Sequence, residues 1–93
     1  MNKCTFLGTV SEFYSISNHD GNIGISVTLQ IVNKRESRVK KFDTENLTFE
    51  AWGSAAVYLL SNLKVDHQLL VLDATARTVE NVVVFRINDF RII

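Results

Sequence analysis

The chain predicts an all-β fold, a five-stranded Greek-key barrel with one helix between strands three and four. Two observations carry this. Five stretches are strand-like, and three of them, within 23–32, 47–52 and 83–88, alternate from one side to the other with the period of two that marks half-buried strands. One stretch alone changes period: Ala56, Leu59, Leu60 and Leu63 recur at three and four places, as a short amphipathic helix requires. The change falls at Trp52-Gly53, where a strand hands over to the helix.

Asn2 to Val10 reads as the first strand, with Cys4, Phe6 and Gly8 on one side and Thr5 and Leu7 on the other. Gly8 suggests a bulge or sharp bend, as a small barrel needs at a corner. Ser11 to Ser17 continues irregularly, and its aromatics Phe13 and Tyr14 fit either core or surface. Asn18-His19-Asp20-Gly21-Asn22 is dense in turn formers and predicts a hairpin connection. Ile23 to Val32 is the cleanest strand: Ile25, Val27, Leu29 and Ile31 alternate with Ser26, Thr28 and Gln30. Lys34 to Lys41 forms the next loop. In the third strand Leu47, Phe49 and Ala51 face the core, and Thr48, Glu50 and Trp52 face the wet side. Ser54 is suited to cap the helix. After a turn at Lys64-Val65-Asp66-His67, Gln68 to Arg77 reads as a strand of the buried type, because Leu69 to Leu72 are contiguous apolar residues. Thr78 to Asn81 connects it to a fifth strand, Val82 to Ile93, from which Arg86 points away from the core.

With 93 residues, 46% hydrophobic, the chain fits one domain over residues 1–93. The lack of any long apolar run or signal-like start argues for a soluble, cytoplasmic protein with no membrane partner. Cys4, the single cysteine, fits a reducing compartment and a small apolar packing role. Ten basic and ten acidic groups cancel, so the molecule as a whole has no strong pull on nucleic acid. The distribution is uneven: Lys34, Arg35, Arg38, Lys40 and Lys41 hold half of the positive charge within eight residues, opposed there only by Glu36. Such a run is commonly a solvated loop. Here it rises from the hairpin that presents the chain's only tryptophan, Trp52, on a polar face, which joins a stacking surface to cations that neutralise phosphate.

Five strands with a helix between the third and fourth is the chain order of the OB-fold, whose second and third strands commonly bind oligonucleotides. The segments Met1 to Gly8, Val27-Thr28-Leu29, Phe49-Glu50-Ala51-Trp52-Gly53 with Ala56, and Asn88 to Ile93 resemble the bacterial and phage single-stranded DNA-binding proteins, over nearly the whole chain. The resemblance implies a stacking role for Trp52, which stands where the family has an aromatic before glycine. It implies basic contacts at Lys3 and Arg77, and dimers or tetramers built through the first strand. Arg86 completes the set of candidate single-strand contacts. The family's other aromatics are absent: Asn46, Lys34-Arg35 and Thr78 to Asn81 stand in their places. Fewer platforms imply weaker, more charge-dependent contact. The family's acidic tail is also absent, which fits either a trimmed domain or a natural short form of phage or mobile-element origin that does not recruit other replication proteins through such a tail.

Glu50, beside Trp52, would repel phosphate unless it pairs with a lysine or accepts from a base. No cofactor or metal is expected: His19 and His67 lie in separate turns, and the acids and Cys4 form no constellation suited to catalysis, so the chain is not expected to be an enzyme. The competing reading is a protein-interaction module resembling the primosomal barrel proteins, in which Trp52 anchors an interface.

Overall fold

A computed structural model describes residues 5–34 and 42–93, the side chains of residues 33, 34, 42 and 43 excepted. Its elements run β1 (Phe6–Ser17), β2 (Ile23–Lys34), β3 (Phe42–Trp52), α1 (Ser54–Asn62), β4 (Gln68–Val79) and β5 (Val82–Ile92). The strands close into a barrel in the order β1-β2-β3-β5-β4, with β3 and β5 parallel and the other pairs antiparallel. This is the expected five-stranded OB-fold with its single helix between β3 and β4.

Closure depends on β1, which pairs with β4 from Phe6 to Thr9 and with β2 from Thr9 to Ser17. The irregular stretch Ser11 to Ser17 is therefore strand, and the irregularity is a bulge between Val10 and Glu12. Gly8 is not the bulge. A Cβ there would meet the Leu29 Cβ at 3.0 Å and the Gln30 carbonyl oxygen at 3.1 Å, so glycine serves the close crossing of β2 over β1.

The inward faces of the strands supply Val10, Ile25, Val27, Leu29, Phe49, Ala51, Leu69, Val71, Ala74 and Ile87 to the core. Phe6, Phe49 and Phe85 meet with ring centroids 4.8 to 5.3 Å apart, an aromatic cluster that joins β1, β3 and β5. Helix α1 adds Ala56 and Leu59, with Leu63 just beyond its end.

Ser54 does not cap this helix. Gly53 occupies the cap position at φ 68°, and no side chain bonds to the first turn. The Gly53 N–H instead donates to the Ile23 carbonyl at 2.9 Å, which pins the strand-to-helix corner to β2. Strand β4 also departs from the buried type: Leu69 and Val71 are buried while Leu72 is exposed, because only alternate residues of a barrel strand face inward. The β4 to β5 connection is shorter than Thr78 to Asn81. Thr78 and Val79 remain in β4, and Glu80 and Asn81, both at positive φ, form the tight two-residue turn of a twisted hairpin.

Candidate nucleic-acid interface

Strand pairing lines up the outer wall of the barrel in rows. Ile16, Gly24 and Trp52 make one row across β1, β2 and β3. The next is Tyr14, Ser26, Glu50, Arg86 and Thr75, which spans all five strands. Arg77 lies in the row after that, opposite Val84 on β5, which is opposite Thr48 on β3.

Trp52 is half-buried on this outer wall and is not part of the core. Its indole lies down across β2. A Cβ on Gly24 would sit 2.6 Å from the indole Cε3 and 2.7 Å from Cζ3, so the ring occupies the space that a side chain at residue 24 would fill. The ring is therefore held partly out of water at a defined place.

Glu50 departs from the expected wet face. Although it shares that side of β3 with Trp52, it is only 6% exposed. Its partner is Arg77 rather than a lysine: Nη2 donates to Oε2 at 3.0 Å, and Nε lies 2.7 Å from Oε1. That second contact is close in charge but out of line for a hydrogen bond, so the buried Oε1 accepts none. The Arg77 side chain itself is 53% exposed, at the edge of the solvent. The pair therefore removes the repulsion that a bare carboxylate would exert beside Trp52.

Asn18, Asn22, Glu50, Trp52, Arg77 and Arg86 together line a hollow of about 340 Å³. The Asn18 side chain shapes its loop wall by accepting from the backbone N–H groups of Asp20 and Asn22 at 3.0 and 2.9 Å. Trp52, Arg77 and Arg86, distant in sequence, are thus brought together. Lys3, Arg35, Arg38, Lys40 and Lys41 and the Lys34 side chain lie outside the described residues. The β2 backbone reaches Lys34, and β3 resumes opposite it at Phe42, whereas Trp52 pairs with Gly24 at the other end of the same two strands. The basic stretch is thus anchored roughly 33 Å of strand away from the indole and not beside it as the sequence predicts.

Tyr14 was ambiguous in the sequence and proves exposed, on the same wall as Trp52. The bulge hid it, because a change of register halfway along a strand breaks the alternation by which a face is read. Among the described residues no group of three or more His, Cys, Asp or Glu is placed to hold a metal ion. No described helix is long and apolar enough to cross a membrane.

No protein-family model and no curated sequence matches the chain. Solved structures do match it. The SSB domain of a Synechococcus sp. protein superposes with a TM-score of 0.80 at 15% identity, over 97% of this chain and 93% of that one. The protein PriB from Ralstonia solanacearum gives 0.79 at 13% identity, over 99% and 97%. A small single-stranded DNA binding protein from Mycoplasma pneumoniae gives 0.73 at 16% identity, over 98% and 92%. Identities this low establish the fold alone, and in fold the chain closely resembles these OB-fold proteins.

Proposed function

We propose that this protein binds single-stranded DNA with little sequence preference, in replication, recombination or repair. Bases stack on Trp52, and phosphates are neutralised by Arg77, Arg86, Lys3 and the basic stretch of Lys34, Arg35, Arg38, Lys40 and Lys41. The observation that carries this reading is the Trp52 indole laid against Gly24 on the outer wall, in a hollow flanked by Arg77 and Arg86. Every base has a π-face, so stacking tolerates any sequence, and duplex DNA hides those faces. Two of the similar folds belong to proteins described as single-stranded DNA binding or as an SSB domain, which agrees with this use of the wall.

Titration with oligo(dT), followed by the fluorescence of the sole indole, tests the reading. Quenching is expected to weaken as salt rises, because bound cations release condensed counterions from the strand. Trp52→Ala is expected to lose about 1–3 kcal/mol of binding, measured by anisotropy of a labelled oligomer. Combining it with neutralisation of Lys34, Arg35 and Arg38 should abolish most of the remainder. Full affinity in the combined variant would remove this site from consideration.

A protein contact is supported elsewhere on the molecule, by Val79, Val82 and Val83, which are exposed beside the β4 to β5 turn. Self-association as a dimer or tetramer would cover such a surface. Sedimentation of the protein with and without oligo(dT) reads it directly, and a monomer under both conditions would reject it.

A further inference from the structure

We propose that Tyr14 is a second base-stacking platform, so that a single strand crossing the wall is held at Trp52 on β3 and again at Tyr14 on β1. The inference rests on the reading of this wall as a single-strand binding face and adds a residue and a direction to it.

The bulge in β1 is the first support. Phe6, Gly8 and Val10 set the even-numbered residues inward, and uninterrupted alternation would carry Glu12, Tyr14 and Ile16 into the core. The bulge between Val10 and Glu12 inverts the pattern. Phe13 turns in to pack against the core, and Tyr14 turns out, 57% exposed. Bulges that re-aim a side chain are common beside binding sites. Tyr14 stacks on no other ring among the described residues, so no neighbouring ring competes with a ligand for it.

Placement is the second support. Tyr14 is two strands across and two residue pairs along from Trp52, a Cα separation of roughly 12 Å from ordinary sheet spacings. The indole leans over Gly24 toward Ile16, whose Cγ1 also closes on the point where a Gly24 side chain would stand, at 2.9 Å. Gly24, Ser26 and Ile16 form the floor between the two rings, so no bulky polar side chain separates them. An unstacked strand advances further per nucleotide than the 3.4 Å of a duplex strand, so the gap suits bases two or three nucleotides apart. The charges give the path its sense. Arg77 and Arg86 stand on the β4 and β5 side of Trp52, where phosphate is attracted. Glu12, two residues from Tyr14 on the same side of β1, repels it, so this end of the wall holds a strand through its bases.

The test is a length series of oligo(dT), titrated into the full chain, Tyr14→Ala and Tyr14→Phe with Trp52 fluorescence as the readout. The shortest oligomers, which reach only Trp52, should bind all three alike. With increasing length the parent and Tyr14→Phe should gain affinity while Tyr14→Ala does not, leaving a deficit of roughly five- to a hundredfold. Equal gain with length in Tyr14→Ala would overturn the second platform and leave single-strand binding standing. An equal loss at every length would also overturn it, since Tyr14 would then act on the site as a whole and not on its own base. Absence of quenching in the parent at any length would reject the single-strand reading, and this proposal with it.

Discussion

Gly24 is where the candidate site is most exposed to a single change. Its backbone has no unusual conformation, so alanine there acts only through space, and the 2.6 Å approach to the indole leaves no room for a methyl group. Gly24→Ala is expected to lift the Trp52 ring off β2, destabilise the protein by about 1–3 kcal/mol and weaken oligo(dT) binding, with a shift in tryptophan emission as the direct reading. Glu50 works in the other direction. Glu50→Gln keeps the shape of the side chain and releases the Arg77 guanidinium from a carboxylate that now occupies it. Affinity for single strands is expected to rise, with the slope of log K against log salt steeper by up to about 0.7, the share of one newly contacted phosphate. An unchanged slope would mean that Arg77 does not reach the strand. The indole could be read as surface from the sequence because the alternation of β3 holds through Trp52. The burial of Glu50 could not, since it depends on Arg77, 27 residues away and on another strand.

Among the elements, the corner from β3 into α1 is set by Gly53 alone. It combines φ 68° with ψ −137°, a backbone conformation that strains any residue with a side chain, and a Cβ there would meet nothing within 4 Å. Gly53→Ala therefore carries a purely conformational cost, expected at about 1–3 kcal/mol and read from thermal melting. Because Gly53 also donates to Ile23, the same change should loosen the neighbourhood of Trp52 and Gly24. The helix, the Asn18 to Asn22 turn and the centre of β2 were legible because each rests on local chemistry: a period, a cluster of turn formers, a clean alternation. The run of β1 was not. Its bulge exists to let one strand pair with β2 and β4 at different places, a requirement of the closed barrel and not of residues 6–17.

At the scale of the whole molecule, Phe49 joins the outer site to the interior. It lies in β3 between Thr48 and Glu50, is fully buried, and contacts Phe6 and Phe85. Phe49→Ala is expected to cost about 3–5 kcal/mol, measured by denaturant unfolding, and to disorder the wall that carries Glu50 and Trp52. A barrel with one helix could be named from the chain because burying one face of each strand imposes a period of two, and a short helix a period near 3.6, whatever the neighbours are. That Arg77 and Arg86 would flank Trp52, that Glu50 would be buried under Arg77, and that Tyr14 would share their wall depended on which strands meet and in what register. Such pairings join residues tens of positions apart through backbone hydrogen bonds, which are the same for every side chain and so leave no mark in the sequence.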